Sequence, residues 1–377
     1  MRVPLRSALA VSLTVIAAMA AMLMLLPVPT LPLWLAHVAA IELSLGISVL
    51  AGAGILLARG ASQAVRRGVV SFAAPAVLAG LAPGAAVAPL YLGRGVRFVP
   101  VQYVRGIGGG SAPDVRDMSL GDSLHGLTAD FYRGAGPAPR PFVVVVHGGA
   151  WRGGDKGEVP WMSRALAASG LSVFDVQYRL SPAVRFPVAV GDVKCWIGRV
   201  RDHALDLGVD PRRAALLGRS AGAQIALVAA YSAEDPRVPP TCSTDDAPVE
   251  AVVALYGPTA LAWGYTHPSR PDVVRGPAAL RSYLAGTPEE VGEAYKLGSP
   301  ESWIGRGPLP RTLLVHGALD RMVSVEHSRR LARALREASC PVDLLEVPLA
   351  EHAFDMRPGG LGEQLARGVI LRFLAGL

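Results

Sequence analysis

The stretch Leu217-Gly218-Arg219-Ser220-Ala221-Gly222-Ala223 decides the fold of this chain. An apolar run from Ala214 to Leu217 precedes the serine, and a helical pattern from Ala223 to Tyr231 follows it. A strand, a tight turn and a helix in this order are the context in which Gly-x-Ser-x-Gly exposes a nucleophilic serine. The turn is too sharp for larger side chains, which explains the glycines on either side. Ser220 is therefore the predicted nucleophile, and an ordinary helix cap is the alternative.

Strand and helix patterns alternate through the rest of the chain. Phe142 to Val146 is an apolar, largely β-branched run, which is typical of a strand buried on both faces. Further strands are predicted at residues 171–178, 213–217, 251–256, 312–315 and 342–347, edge strands at 96–104 and 124–132, and helices at 160–169, 188–207, 223–231, 325–338 and 362–374. This alternation predicts an α/β fold with a mostly parallel central sheet and helices on both faces. Active sites of such sheets lie at the carboxyl ends of the strands.

One connection between two predicted strands is much longer than the others. Residues 257–310 are too many for a plain loop. The segment is rich in large aromatic residues, namely Trp263, Tyr265, Tyr283, Tyr295 and Trp303. We interpret it as a folded insertion near the mouth of the site. Whether it is a lid over the substrate or only a structural excursion stays open.

A glycine-rich motif follows the buried strand that ends at Val146. It reads His147-Gly148-Gly149-Ala150-Trp151. Glycines let the backbone approach a substrate carbonyl closely, so that N–H groups meet the oxygen as it becomes an oxyanion. The motif therefore predicts an oxyanion-binding loop, and the alternative is an ordinary glycine turn.

Two polar residues follow the last two predicted strands. Asp320 comes after the strand at 312–315, and His352 comes after the strand at 342–347. The chain order serine, aspartate, histidine is the order found in α/β-hydrolases. In such a triad the histidine takes the proton of the serine, and a buried carboxylate holds the imidazole in the correct tautomer. Asp355 is too close to His352 in sequence to be this carboxylate.

These motifs resemble those of a known group of enzymes. Residues from about 115 to 377 look like α/β-hydrolases of the hormone-sensitive-lipase-like group of esterases. The matching segments are His147–Trp151, Gln177-Tyr178-Arg179-Leu180-Ser181-Pro182, Gly208-Val209-Asp210-Pro211 and Gly218-Arg219-Ser220-Ala221-Gly222. The serine motif and the apolar start are similar to prenylcysteine-methylesterase-like and feruloyl-esterase-like members.

The resemblance implies roles for further residues. The N–H groups of Gly149, Ala150 and Ala221 would form the oxyanion hole. The residues that would support these loops are His147, Gly148, Gly218 and Gly222. Ala150 stands where the group usually has a third glycine. The resemblance therefore does not imply that the substrate pocket has room for bulky or tertiary alcohol esters. No cofactor is implied, and no metal-ligand spacing such as H-E-x-x-H or paired C-x-x-C is present.

The first 95 residues contain three long apolar runs. Ser7 to Leu26 is uncharged, Leu33 to Ala58 carries only Glu42, and Val69 to Leu92 is again uncharged. Each run reaches the roughly 20 residues that cross a bilayer. Two to three transmembrane helices are therefore predicted, because three prolines interrupt the third run. A cleaved signal peptide is the alternative for the first run, and the role of Glu42 stays open.

Charge separates the same region from the rest of the chain. The whole chain carries a net charge of +7, and residues 1–97 hold seven arginines and one glutamate. The basic balance therefore reflects arginines beside membrane spans, so we predict no nucleic-acid partner. The arginines between residues 59 and 67 predict a cytoplasmic connection and an extracytoplasmic catalytic domain, whereas Arg94, Arg97 and Arg105 favour the opposite side.

Three cysteines are too few for a disulfide framework. Cys195 falls in an amphipathic helical pattern, and we interpret it as a small buried apolar residue.

These observations predict a membrane region at residues 1–95 and a catalytic domain at residues 96–377. The predicted protein is a membrane-anchored serine hydrolase that cleaves small or lipid-like carboxylic esters through an acyl-enzyme. An amidase or arylformamidase with the same triad is one alternative. A non-catalytic membrane scaffold that retains the fold is another, and the oligomeric state stays open.

Overall fold

The computed structural model describes residues 5–26, 28–106, 112–121 and 124–377. The chain forms two compact units. The first comprises residues 1–106 together with 347–365, and the second comprises residues 107–346 together with 366–377. The sequence from Gly106 to Pro113 is rich in glycine, and residues 107–111 of it lie outside the described residues.

The N-terminal part of the first unit is helical. Its helices are α1 (Leu5–Leu23), α2 (Leu31–Glu42), α3 (Ser44–Leu57), α4 (Gln63–Gly93) and α5 (Pro100–Arg105). In the described part of the chain, α1 and α4 are long and apolar enough to cross a membrane. The pair of α2 and α3 passes the same test jointly but is bent by 72°. Two helices, or three if the bent pair is one span, therefore have the length and composition of membrane spans.

The strand predicted at residues 96–104 is wrong, because residues 100–105 form α5. Pro100 occupies the first turn of this helix. A proline is well tolerated there, since that position needs no N–H donor and its fixed φ suits the helix. The prolines at 75, 83 and 89 likewise lie inside the continuous helix α4 and do not end it.

The second unit is built on a sheet of eight strands. These are β1 (Val115–Met118), β2 (Ala129–Tyr132), β3 (Arg140–Val146), β4 (Ser172–Val176), β5 (Val209–Arg219), β6 (Ala251–Leu255), β7 (Arg311–Gly317) and β8 (Val342–Val347). Their order across the sheet is β1-β2-β4-β3-β5-β6-β7-β8. The pairs β1–β2 and β2–β4 are antiparallel, whereas β4, β3, β5, β6 and β7 run parallel. The predicted mostly parallel sheet is confirmed.

Two details at the antiparallel edge differ from the prediction. β1 was not foreseen, and β2 begins at Ala129 rather than at Leu124. His125 and Gly126 have positive φ angles, so the chain turns there instead of extending. β2 therefore lies between β1 and β4, and β1 forms the edge.

Further helices follow the strands in chain order. They are α6 (Pro160–Ala168), α7 (Val188–Asp202), α8 (Ala204–Leu207), α9 (Ala221–Tyr231), α10 (Leu261–Thr266), α11 (Gly276–Leu284), α12 (Gly292–Gly298), α13 (Glu326–Glu337) and α14 (Leu361–Leu374). The long segment at residues 257–310 thus holds α10, α11 and α12, followed by a 3₁₀ turn at Pro300–Trp303.

Cys195 on α7 forms a disulfide with Cys242, with a Cα–Cα distance of 5.7 Å. Cys195 is buried, as interpreted from the sequence, but the interpretation of it as a plain apolar residue is wrong because it is disulfide-bonded. Two glycines of α7 let the cysteine-bearing loop approach: a Cβ on Gly191 would lie 2.6 Å from the Pro239 oxygen, and a Cβ on Gly198 would overlap Thr244. The 47-residue separation of the two cysteines carries no local signal, so the pairing was not predicted.

The register of the central strands brings two predicted motifs to one edge of the sheet. Val146 at the end of β3 pairs with Gly218 near the end of β5. The loop that starts at His147 and the turn that holds Ser220 therefore leave the sheet side by side. Arg219 pairs with Leu255, and Leu255 pairs with Val315, so the end of β7 lies at the same level.

Candidate active site

Ser220 occupies a strained turn between β5 and α9. Its φ of 52° and ψ of −120° are rare for a residue with a side chain. The Ser220 N–H donates to the Leu255 carbonyl at 2.9 Å, which fixes the turn to the neighbouring strand. The serine is half-buried. This is the strand–turn–helix geometry that the sequence predicts for a nucleophile.

The two glycines beside Ser220 are required by close backbone contacts. A Cβ on Gly218 would overlap the Gly222 carbonyl, and a Cβ on Gly222 would overlap the carbonyl oxygens of Val146 and His147. No larger residue fits either position without a backbone shift. The glycines therefore let the turn pack directly against the end of β3.

The glycine motif lies beside Ser220. A Cβ built on Gly148 would lie 3.4 Å from the Ser220 Cβ. The next three residues, Gly149, Ala150 and Trp151, have φ angles of 107°, 51° and 60°. A left-handed conformation costs a non-glycine residue about 1–2 kcal/mol. This explains why a glycine is usual at the position of Ala150, and shows that the alanine adopts the same backbone at some cost.

Ala221 is the first residue of α9. Its N–H therefore has no carbonyl one turn earlier in the helix to bind. Gly149 is exposed and Ala150 is half-buried, so both backbones are accessible from solvent. These features suit the three predicted oxyanion donors, whose role belongs to the proposal below.

Gln224 connects the motif, the nucleophile helix and the insertion. Trp151 Nε1 donates to Gln224 Oε1 at 2.8 Å, and Gln224 Nε2 donates to the Gly298 carbonyl at 2.7 Å. Trp151 also stacks on Tyr283 of α11, with ring centroids 4.8 Å apart. Sequence reasoning missed Gln224. The available signal was a lone amide in an otherwise apolar helix, since a buried amide requires partners.

His147 braces the start of the glycine motif. Its ring stacks on Tyr178 with centroids 4.2 Å apart, and its Nδ1 lies 2.8 Å from the Gly148 carbonyl. Tyr178 Oη donates to the carbonyls of His147 and Gly148, both at 3.2 Å. Burial lowers the pKa of His147 and raises the pKa of Tyr178 well above its usual range. Both rings are therefore neutral near pH 7 and serve as structural supports of the loop.

Asp320 lies in the turn after β7, with its side chain fully buried. Its Oδ1 accepts hydrogen bonds from the N–H groups of Met322 and Val323, both at 2.8 Å. Its Oδ2 lies 3.1 Å from His316 Nε2. The His316 Nε2 also lies 2.9 Å from the Val323 carbonyl, which only accepts, so this nitrogen carries a hydrogen. The His316 Nδ1 is 2.7 Å from Ser328 Oγ. The carboxylate is thus held in one orientation, as the acid of a triad must be.

His352 is buried and lies in the loop between β8 and α14. Asp355 is also buried, in the 3₁₀ turn Phe354–Met356. Residues 347–365 belong to the first compact unit, whereas Ser220, Asp320 and the glycine motif belong to the second. The second unit therefore holds Ser220, the glycine motif and Asp320, and His352 is joined to them only in the proposal below.

A strained serine turn beside a glycine motif, at the edge of a mostly parallel sheet, defines the α/β-hydrolase class. Residues 130–335, more than half of the chain, match the BD-FAE family. The chain belongs to the BD-FAE family.

Individual relatives agree with this class. The chain is similar to esterase LipQ of Mycobacterium tuberculosis, 31% identical over 251 residues, or 65% of this chain and 58% of LipQ. It is also similar to esterase LipC of the same organism, 31% identical over 238 residues, or 62% of this chain and 58% of LipC. The chain thus spans less than two thirds of these relatives.

A solved esterase structure has the same fold. It is the propionate-bound Est2 of the Planctomycetes species Thermogutta terrifontis, which matches with a TM-score of 0.53 and 27% identity over 66% of this chain and 89% of its own. The predicted resemblance to hormone-sensitive-lipase-like esterases is confirmed by these relatives and by the family match.

Proposed function

We propose that the protein is a carboxylic ester hydrolase with Ser220 as nucleophile, His352 as general base and Asp320 as the orienting acid. The observation that carries the proposal is the strained Ser220 turn, which presents a half-buried hydroxyl at the start of α9 beside Gly148. The names of the relatives, all esterases, favour an ester substrate over the amide of an amidase or arylformamidase. All the residues that hydrolysis needs are present, which argues against a non-catalytic scaffold.

In the proposed reaction, Ser220 Oγ attacks the ester carbonyl while His352 takes its proton. His352 then gives this proton to the departing alcohol, and the acyl group stays on Ser220. Water repeats the cycle with His352 as base and releases the acid. Asp320 orients the imidazole and stabilises its charged form.

The oxyanion of each tetrahedral intermediate is assigned to the N–H groups of Gly149, Ala150 and Ala221. One such donor contributes on the order of 10²–10³ in kcat. The hydrogen bonds of Gln224 and the stack of Trp151 on Tyr283 support the loop that carries two of these donors. Because fixed donors need no reorganisation during the reaction, this support favours catalysis.

We further propose that the insertion at residues 257–310 forms part of the substrate pocket. The stack of Tyr283 on Trp151 puts α11 against the proposed oxyanion loop. The bond from Gln224 to Gly298 puts α12 against α9, the helix that follows Ser220. This arrangement supports a pocket wall more than a remote excursion. The substrate is a small or lipid-like ester, and the proposal includes no nucleic-acid partner.

We also propose that residues 1–95 anchor the protein in the cell membrane, with the hydrolase domain, residues 96–377, outside the cytoplasm. The lengths and composition of α1 and α4 support the anchor. The exposed Arg59, Arg66 and Arg67 favour a cytoplasmic connection before α4. The disulfide between Cys195 and Cys242 supports an oxidising compartment for the hydrolase domain.

A panel of p-nitrophenyl esters, with acyl groups from acetyl to palmitoyl, tests the proposed activity on the full chain in detergent. A matched anilide series separates esterase from amidase activity. We expect ester hydrolysis, and a loss of at least about 10⁴ in kcat for Ser220→Ala. Ser232→Ala, which removes a buried serine at the other end of α9, is the matched control and should keep kcat within about threefold. Equal ester rates for Ser220→Ala and the parent chain would refute the proposal.

A further inference from the structure

A histidine of the apolar N-terminal helices contacts the loop that carries His352. His37 on α2 places its Nε2 3.2 Å from Oε1 of Glu351, and the two side chains are 0% and 1% exposed. Its other nitrogen, Nδ1, lies 2.6 Å from the Leu23 carbonyl at the end of α1. All of these residues belong to the first compact unit.

The partners of His37 determine where its ring hydrogen lies. A carbonyl oxygen only accepts, so Nδ1 carries a hydrogen and donates it to Leu23. Nε2 then faces the Glu351 carboxyl group, whose Oε1 lies 3.2 Å away. Both side chains are buried, where the removal of either one is strongly destabilising because the other loses this contact. The contact is therefore a strong constraint between α2 and the loop.

Glu351 passes this constraint on to the next residue. Its second oxygen, Oε2, accepts a hydrogen bond from the N–H of His352 at 3.4 Å. Glu351 thus bridges the ring of His37 and the backbone of His352. A shift of the glutamate moves the backbone from which the His352 imidazole projects.

The loop is strained on both sides of this bridge. Leu349 and Ala353 have φ angles of 55° and 58°, which are unfavourable for residues with side chains. Strained conformations of this kind persist only where the surroundings hold them. The contact of His37 with Glu351 supplies such support, because Glu351 lies between the two strained residues in sequence.

Two further contacts join the segment after His352 to the N-terminal region. Tyr91 Oη on α4 donates to the Leu361 carbonyl at 2.6 Å. The N–H of Val99 donates to Gln364 Oε1 at 2.8 Å. Both contacts lie within the first compact unit, so residues 347–365 are secured by several parts of the N-terminal region.

We propose that His37 is a positioning residue for ester hydrolysis: through Glu351 it fixes the backbone of His352. The apolar N-terminal helices then serve the reaction as well as the anchor. This inference rests on the proposed role of His352 as general base. It assigns a function to His37, an ionisable residue in an apolar helix. Such residues cost free energy to bury and are generally functional.

The test compares kcat, KM and the melting temperature of full-chain variants in detergent. His37→Ala and Glu351→Ala should each lower kcat by about 10- to 100-fold with KM within about twofold, since misplacement by about 1 Å costs up to that much. The double variant should be no slower than either single variant, because both remove one contact. Glu351→Gln should recover most of kcat, because its side-chain amide has nearly the same shape and can donate to a ring nitrogen that carries no hydrogen.

Ser48→Ala is the matched control. Ser48 Oγ donates to the Val77 carbonyl at 2.8 Å and so joins α3 to α4 without touching the loop. This variant should keep the parental kcat. If the alanine variants do not fold, Glu351→Asp is tested in their place. This variant keeps the carboxyl group but shortens the side chain, and the proposal requires that it lowers kcat.

A parental kcat in folded His37→Ala, Glu351→Ala or Glu351→Asp protein would overturn the inference, even if the melting temperature falls, because the pair would then serve stability alone. His352→Ala separates this failure from failure of the proposed function. If His352→Ala is inactive while His37→Ala keeps the parental kcat, only the positioning role fails. If His352→Ala itself stays active, His352 is not the base and both statements fail.

Discussion

At the residue scale, the sequence predicted the groups whose neighbours along the chain define them. Ser220 and its glycines are recognisable because the turn itself requires Gly-x-Ser-x-Gly, and the backbone contacts of Gly218 and Gly222 give the reason. Gln224 and His37 were missed as site residues because their partners, Trp151 and Glu351, are far away in sequence. The signal for Gln224 was a lone amide in an apolar helix, and the signal for His37 was an ionisable residue in a long apolar run that also carries Glu42.

The choice of Asp320 as the triad acid gives a prediction at this scale. Its carboxylate is fixed by two backbone N–H groups and by His316, so that one orientation is available to a catalytic imidazole. Asp320→Asn should lower kcat by on the order of 10⁴ with little change in KM. Asp355→Asn should change kcat by less than about tenfold. Steady-state kinetics with one ester measure both, and a reversal of the two effects would move the acid to the last loop.

At the element scale, long apolar runs and regular alternation predicted the central strands and most helices. β3, β4, β5, β6, β7 and β8 all occur where their apolar patterns lie. The prediction failed where one local feature decides the structure. A proline begins α5, and two residues with positive φ angles shorten β2. The disulfide of Cys195 was not predicted, because sequence periodicity does not indicate which residues pair when they are far apart in the chain.

Asp175 in β4 predicts how stability depends on pH. Burial raises the pKa of this carboxyl from its usual value near 4 to about 7, although the N–H of Gly157 donates to it. Between these values the folded chain keeps a proton that the unfolded chain has lost. The contribution of this proton to the free energy of unfolding is therefore complete below about pH 4 and is lost as the pH rises through about 7.

Asp175→Asn mimics the protonated acid, so the variant should lose less stability than the parent chain between pH 5 and pH 8. Unfolding transitions of both proteins at these two pH values measure the difference. Asp210→Asn is the control, because hydrogen bonds from Arg212 hold the pKa of Asp210 below its usual value. It should leave the pH dependence in this range unchanged. Equal losses for Asp175→Asn and the parent chain would contradict the assignment.

At the scale of the whole molecule, the two compact units do not follow the linear division into residues 1–95 and 96–377. Residues 347–365 belong with the N-terminal helices through contacts such as those of His37 with Glu351 and of Tyr91 with Leu361. Sequence patterns carry no information on such distant pairs. A chain that begins near Val96 would lack His37 and Tyr91, so we expect it to hydrolyse esters more slowly than the full chain.

Membrane anchoring is the second prediction at this scale. The apolar helices α1 and α4 leave large hydrophobic residues exposed, including Ile16, Met19, Phe72 and Leu78. Such surfaces are stable in a bilayer and not in water. The full chain should therefore sediment with membranes, resist extraction by alkaline carbonate and dissolve only in detergent. Recovery in the soluble fraction after high-speed centrifugation would rule out the anchor.

The proposed function depends most on Ser220 as an activated nucleophile. Labelling of the full chain with a fluorophosphonate probe, followed by mass spectrometry of the peptides, tests it most directly. A serine activated by a general base reacts with the probe, whereas an ordinary serine hydroxyl does not. We expect one adduct, on the peptide that contains Ser220, and no labelling of Ser220→Ala. An adduct on another serine, or labelling that persists in Ser220→Ala, would contradict it.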